Sequence, residues 1–382
     1  MRILWITKLS DNYHFKTSRI ELSKALAKRG HLVNLIMEKK IGEKKSNNNI
    51  IYIPSLSKPI FSSLIFSLFL IFYIPYITFK LKPDIIVIDE TTVWLPYAII
   101  LKICKTPIVL DIRTLPVDNR RPLRFGISMQ TSKFISNAYT MITPELYEIL
   151  NQRFKLSNKK VGFWSSGVSI DNFSIKKNIR NKKVGKNRKN DSFILMYHGS
   201  YSPTRGIENL ILSIDKLKPE IKKNVILKIV GIEQSNIEYL SDFCKKQGNI
   251  KNIEFFPKVE YEEISKIIFS SDVGIVPLPV ANRWWYSSAP LKTLEYLAME
   301  KPIIVTNIPF HHRIFEKGEC GVLLNENTPE AIADAIIYLY QNKEKSFILG
   351  KKGRDIVEKY YSWNYKAMEV EKFLENILTT PK

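Results

Sequence analysis

The stretch from Ser287 to Thr306 gathers residue types suited to holding a phosphorylated ligand. Ser287 and Ser288 lead through Ala289 to Pro290, which can begin a helix. A helix start carries unpaired backbone amides, and such amides bind phosphate. Leu291 opens the apolar stripe of this helix with Leu294 and Ala298, and Lys292 can snorkel toward a bound phosphate. Glu295 lies one turn further in, where a carboxylate can accept two hydrogen bonds from a ribose diol. The plainer alternative is a surface ion pair between Lys292 and Glu295, three residues apart.

A second stretch, His198 to Gly206, reads as a strand ending in Gly199, a loop through Ser200, and Arg205 just before the glycine that opens a helix. That arrangement aims a cation and backbone amides at a diphosphate. Two glycines shaping a strand-to-helix turn explain the same residues without any ligand. His311 and His312 lack a matching acid or cysteine cluster, so no metal site is expected, and no cofactor.

These residues need a scaffold, and the chain spells one out. Arg2–Ile6, Leu32–Ile36, Ile50–Ile53, Ile85–Ile88, Ile108–Leu110 and Thr140–Ile142 read as strands. A helix over Thr17–Arg29 carries Leu22, Ala25 and Leu26 on one face, with Gly30 placed as its terminating glycine. After a basic run from Lys176 to Asn190 the rhythm restarts. Strands are expected at Phe193–Tyr197, Val225–Val230, Ile253–Phe256, Asp272–Val276, Ile303–Thr306 and Val322–Leu324. Thr328-Pro329-Glu330 is a helix start, and Trp363–Leu378 is a helix. Strands alternating with helices predict parallel sheets covered by helices, in two α/β domains. Ligands of such sheets bind at the carboxyl ends of the strands.

Length and charge fit that plan. A chain of 382 residues suits two domains, and its apolar and charged fractions are those of a folded protein. Cys104, Cys244 and Cys320 are odd in number and far apart, as buried thiols of a reducing compartment are. The net charge of +21 predicts attraction to polyanions. Nucleic acid is not the expected one, because the basic run Lys176–Asn190 has no aromatic residue to stack on bases. Ile3–Ile6 is too short an apolar run for a signal core.

The segment Ile60–Phe79 is uncharged, apolar and long enough to span a bilayer. A single crossing would separate the strands on either side of it, which belong to one sheet. A buried helix on the sheet and an interfacial helix dipping one face into anionic lipid remain, and the flanking Lys58, Lys80 and Lys82 favour the second.

The segment Ser287–Thr306 resembles the donor-site signature of the retaining, GT-B glycosyltransferases of family four, in the branch with a Ser-Pro-Leu-Lys-like entry. The resemblance covers nearly the whole chain. It implies two Rossmann-like domains facing a central cleft: residues 1–172 on the acceptor side, with the helix from 363 to 382 packing back on them, and residues 173–362 binding the nucleotide sugar. The family signature has two glutamates. Glu295 matches the second and is thereby implied to bind the nucleotide ribose, whereas Ser287 stands at the first. Hydroxyls or amides near Ser287 and Ser288 are expected to take over its role. In the Gly199–Gly206 passage Arg205 keeps one phosphate cation, and Ser200 stands where the family has another. Val161–Phe173 resembles the passage between domains.

Asp111 and Arg113, in Val109–Pro116 at a strand's carboxyl end, resemble an Asp-x-Arg-Asp motif with Thr114 at its last position. The resemblance implies a catalytic role toward acceptor or reacting sugar, and a structural ion pair is the alternative. The loop Ser10–Lys16 lacks the family's glycines, so Lys16 or Arg19 supplies charge there, with His14 a minor candidate. The implied activity moves a sugar from a nucleoside-diphosphate sugar, with retention, to a glycan or lipid-linked acceptor of cell-surface polysaccharide or glycoconjugate synthesis. It would work in the cytoplasm, peripherally at the membrane. An epimerase of the same fold and a non-catalytic scaffold are the rivals.

Overall fold

The computed structural model describes residues 1–10, 16–40, 50–55, 59–90, 97–116, 122–175, 192–248 and 250–379. His14 and the basic run Lys176–Asn190 lie outside them, as does the side chain of Lys16. The chain divides into two compact units, Met1–Ser166 with Trp363–Lys382, and Gly167–Ser362.

In the first unit the described strands form one parallel sheet. They are β1 (Arg2–Ser10), β2 (Leu32–Lys40), β3 (Ile50–Ser55), β4 (Ile85–Asp89), β5 (Ile108–Ile112), β6 (Ala138–Met141) and β7 (Lys160–Phe163), in the order β3-β2-β1-β4-β5-β6-β7. β4 and β5 are buried along their whole length, which is why they read as apolar runs with an acid only at the last position, Asp89, or the one before it, Asp111. Between the strands run helices α1 (Lys16–Lys28), α2 (Pro59–Leu81), α3 (Tyr97–Ile103), α4 (Pro122–Ile135) and α5 (Pro144–Phe154). Gly30 takes φ +90° after α1, as a terminating glycine does. The helix Trp363–Thr379 returns to this unit and packs on α1, where Arg29 and His31 both meet the Glu371 carboxylate.

The strands before and after α2 lie in one sheet. Among the described residues no helix is long and apolar enough to cross a membrane. α2 is two-faced: Phe66, Leu70, Ile74 and Ile77 are buried, while Leu68, Phe69, Phe72, Tyr76 and Phe79 face outward.

The second unit repeats the plan with β8 (Phe193–His198), β9 (Val225–Val230), β10 (Ile253–Phe256), β11 (Val273–Val276), β12 (Ile303–Thr306) and β13 (Gly321–Leu324), all parallel, in the order β10-β9-β8-β11-β12-β13. Both orders reverse direction beside the first strand, which places a ligand crevice at the carboxyl ends of β1 and β4 and of β8 and β11. Thr328 caps the helix Pro329–Gln341 by accepting from the Ala331 amide.

The passage between units falls earlier than residue 172. Val168 bridges to Ser362, Phe173 is buried against Tyr261, and Arg354 donates to the Phe173 carbonyl, so residues 167–175 belong to the second unit. β7 accounts for the start of the same passage, because Val161–Phe163 forms an edge strand rather than a connector.

Candidate functional site

β8 delivers His198 and Gly199 to the crevice of the second unit. Gly199 takes φ +126°, and its amide is held by the Val230 carbonyl at the end of β9. A Cβ at Gly199 would stand 2.6 Å from Lys292 Nζ, so the glycine is what lets the lysine reach the loop. Gly206 takes φ +71°, and a Cβ there would lie 2.1 Å from the Pro277 carbonyl oxygen. Between them Ser202 caps the turn Pro203–Arg205 by accepting from the Thr204 amide, and α6 (Ile207–Ser213) begins after Gly206.

Lys292 belongs to α7 (Leu291–Ala298), whose first residue is Leu291, with Pro290 at the capping position and no side chain capping the start. Its Nζ donates to Tyr197 Oη at 3.1 Å and sits over the Tyr197 ring. Tyr197 Oη in turn donates to the Ser200 carbonyl. Burial, then the nearby Arg205 guanidinium, pushes the Lys292 ammonium well below its ordinary range. Arg205 rests on the Trp285 ring, and its Nε is buried with no acceptor among the described residues. Lys292 and Arg205 thus stand near enough for one charge to act on the other, and among the described residues neither has a carboxylate salt bridge.

Glu295 is buried and accepts from His198 Nε2 at 2.7 Å. It is not the surface partner of Lys292. Burial lowers the His198 pKa, against the opposing pull of Glu295. The imidazole is therefore neutral, it donates through Nε2, and its buried Nδ1 has no partner among the described residues. Tyr296, next along α7, accepts from the His198 amide and lies on Gly274, where any Cβ would strike its ring at 2.1 Å. Gly274 and Tyr296 thus fix the register of α7 against β8 and β11.

Ser287 and Ser288 also have a local structural role. Ser287 Oγ donates back to the Arg283 and Trp284 carbonyls, and Ser288 Oγ to Trp285. The Ser288 amide is also held by the Trp285 carbonyl. These hydroxyls close the short helix Arg283–Tyr286; each gives its proton to that helix and keeps its oxygen as an acceptor. His311 is structural as well, bonded to Thr293 and the Thr306 carbonyl, and burial pushes its pKa down to about 4. Among the described residues no three His, Cys, Asp or Glu side chains could hold a metal.

The first unit has its own buried polar cluster at the carboxyl ends of β1, β4 and β5. Asp111 is 1% exposed and accepts from Thr140 Oγ1 and Trp164 Nε1. Its ion-pair partner is Arg19, at 3.7 Å, rather than Arg113. Burial raises the Asp111 pKa, against the pull of Arg113 and Arg19. Arg113 stacks on the Trp164 ring and donates to the Trp164 carbonyl, and burial lowers its pKa to about 9. Arg19 is buried between Asp111 and Asp89, and Asp89 also accepts from Trp5 and Thr7. The Arg19 charge is therefore neutralised within the unit. Glu90, beside Asp89, is pushed from 4.5 up to about 8, chiefly by burial.

Asp89, Glu90 and His198 carry weight that the sequence reading did not give them. An acid closing an apolar strand, as in Ile85–Asp89, is the signal for the first two. For His198 it was the position directly before the loop glycine.

Comparison with known proteins places these two units. Residues 17–172 match the family model described as Glycosyltransferase Family 4, and residues 178–356 match that described as Glycosyl transferases group 1. Fold and matches together define the class: the chain has the two α/β domains of a GT-B glycosyltransferase. It is 26% identical to the capsular polysaccharide biosynthesis glycosyltransferase CapM of Staphylococcus aureus, over 61% of this chain and 59% of that one. It is 27% identical to an uncharacterized glycosyltransferase of Methanocaldococcus jannaschii, over 52% and 48%. The chain spans about half the length of the curated relatives it matches. Among solved structures, sucrose-phosphate synthase of Thermosynechococcus elongatus superposes with a TM-score of 0.78 at 15% identity, over 98% of both chains. Anabaena HepE in complex with UDP gives 0.71 at 13% identity, over 98% of this chain and all of that one.

Proposed function

We propose that this chain transfers a sugar from a nucleoside-diphosphate sugar, with retention at the anomeric carbon, to a glycan or lipid-linked acceptor in cell-surface polysaccharide or glycoconjugate synthesis. The observation that carries the reading is the meeting of Gly199, Arg205, Lys292 and Glu295 at one strand edge of the second unit. Arg205 and Lys292 would share the donor diphosphate, with Lys292 replacing the cation absent at Ser200. The uncapped amides at Leu291 and Lys292 would add partial positive charge, and Glu295 would hold the ribose diol. Catalysis would then be positioning plus neutralisation of the leaving diphosphate, with no metal required.

Asp111 and Arg113 are proposed to face the transferred sugar or acceptor. The UDP complex of HepE and the capsular role in the name of CapM support the donor and acceptor classes without fixing either. The basic charge and the outward apolar face of α2 support work at the cytoplasmic face of an anionic membrane.

The test is thermal unfolding with millimolar UDP, GDP, ADP, CMP and their sugar conjugates, on wild type and Glu295→Ala. A ligand that binds only the folded state raises the melting temperature. One nucleotide stabilising the wild type and not the variant supports the reading. No stabilisation by any of them overturns it.

A further inference from the structure

Helices α2, α3 and α4 adjoin one another in the first unit, α3 touching both of the others. Their outward side chains are unusual for a water-facing surface. Phe72 is 78% exposed and Phe79 80%, with Leu68, Phe69 and Tyr76 beside them on α2. Ile103 of α3, and Leu123, Ile127 and Phe134 of α4, extend the same apolar display. An outward patch of this kind marks an interaction site rather than an ordinary surface.

Its charges are of one sign. No Asp or Glu occurs in α2, α3 or α4. Lys80, Lys82, Lys102, Lys105 and Lys133 are exposed around the apolar residues, and none has a carboxylate partner among the described residues. Lys80 lies over Tyr76 and Lys102 over Phe134, so the ammonium groups border the aromatic rings themselves. Lys159 sits close enough to Lys102 and Lys133 for their charges to lower its own pKa, after burial. Beside Phe79 a groove of about 500 Å³ is lined by Arg2, Thr78, Lys82 and Thr106, with Pro75 and Cys104. Arg2 is neutralised by Asp84, which leaves Lys82 as the groove's uncompensated cation.

We propose that this α2–α3–α4 face seats the chain on an anionic lipid bilayer, with Phe72, Tyr76 and Phe79 entering the headgroup boundary and the lysine rim meeting lipid phosphates. The proposal rests on the reading above that the acceptor is held at a membrane, and it adds the surface that meets the membrane. Aromatic rings surrounded by lysines match an interface that is apolar within and anionic at its edge. A protein partner of mixed charge would leave so uniform a set of cations partly unpaired. The groove below Phe79 offers room for one phosphate headgroup beside Lys82.

The experiment is co-sedimentation of the whole chain with vesicles of phosphatidylcholine alone or with phosphatidylglycerol, at low and high salt. Wild type, Phe72→Ser/Phe79→Ser and Lys102→Glu/Lys133→Glu are compared, each checked for fold by its melting curve. Binding to the phosphatidylglycerol vesicles only, weakened by salt and reduced about tenfold or more by either double substitution, is the expected result. Wild type left in the supernatant with anionic vesicles, or variants captured as well as wild type, overturns the proposal. So does a wild-type dimer in lipid-free gel filtration that Phe72→Ser/Phe79→Ser converts to monomer, which assigns the face to a second copy. Nucleotide stabilisation is read on the same samples. Its absence alongside salt-sensitive vesicle capture counts against the transferase reading and supports the docking face.

Discussion

His198 Nε2 and Glu295 Oε2 stand 2.7 Å apart in a pocket where each residue is almost wholly buried, at 6% and 5% exposure. A neutral imidazole that donates to one carboxylate oxygen fixes the plane of the carboxylate and leaves the other oxygen for a ligand. His198→Gln keeps an N–H donor, and His198→Phe does not. Nucleotide affinity, read by thermal shift or calorimetry, is expected to fall about tenfold in His198→Phe, the worth of one hydrogen bond to a charged group, and less in His198→Gln. Equal affinity in wild type and His198→Phe would remove His198 from the site.

Three glycines with positive φ separate conformational strain from crowding. Gly30→Ala meets open space, so it is expected to cost only the left-handed backbone penalty of about 1–2 kcal/mol. Gly206→Ala adds a clash with the rigid Pro277 carbonyl and should cost well beyond that, about 3 kcal/mol or more. Gly199→Ala meets only the flexible end of Lys292, so its stability should resemble that of Gly30→Ala while its nucleotide affinity drops. Urea unfolding with and without nucleotide measures all three, and a Gly206→Ala protein as stable as Gly30→Ala would contradict the packing argument.

Arg205 and Lys292 are expected to act on one anion. Arg205→Ala and Lys292→Met should each lower kcat/KM by roughly a hundredfold, the usual loss when one donor to a developing charge is removed. The double variant should fall short of the product of the two losses, because residues sharing a ligand are not additive. Strict additivity in steady-state kinetics would mean that they serve separate groups.

Glu90 gives the chain a pH dependence of known sign. Its folded pKa, about 8, lies above the ordinary 4.5, so between those values the folded state binds more protons than the unfolded state. Stability from this group is full below pH 4.5 and is lost as the pH rises through 8. Glu90→Gln removes the titration. Its stability relative to wild type, read from unfolding curves, should therefore rise from pH 5 to pH 8 by on the order of 2 kcal/mol or more. A constant difference across that range would show that Glu90 is not desolvated.

Much of this was legible beforehand for a physical reason. Strands such as Ile85–Ile88 and Ile303–Thr306 are buried on both faces and read as plain apolar runs. Gly30 and Thr328 announced their helix ends by local chemistry alone. Glu295 and Arg205 sit in short contiguous motifs, so their neighbourhood could be inferred. What stayed hidden depends on pairing at a distance. Arg19 meets Asp89 across 70 residues, Trp5 meets Asp89 across 84, and His198 meets Glu295 across 97. Nothing local in Asp-Glu at positions 89 and 90 says that one acid will be paired and the other pushed toward neutrality. The helix-closing bonds of Ser287 and Ser288 were hidden for the opposite reason: their partners are three and four residues back, in a helix too short to be anticipated.

The helix Trp363–Thr379 has a consequence for how the chain is made. It covers α1, supplies Glu371 to Arg29 and His31, and places the Phe373 ring where Gly162 leaves room. On a ribosome, the first unit emerges early yet lacks this cover until roughly 200 further residues have been added, about 10–40 s at ordinary elongation rates. Throughout that interval the second unit is still being synthesised, while the α1 surface waits uncovered. A stop codon shortly after residue 362 would leave that surface, with Arg29 and His31, without its cover for the life of the chain.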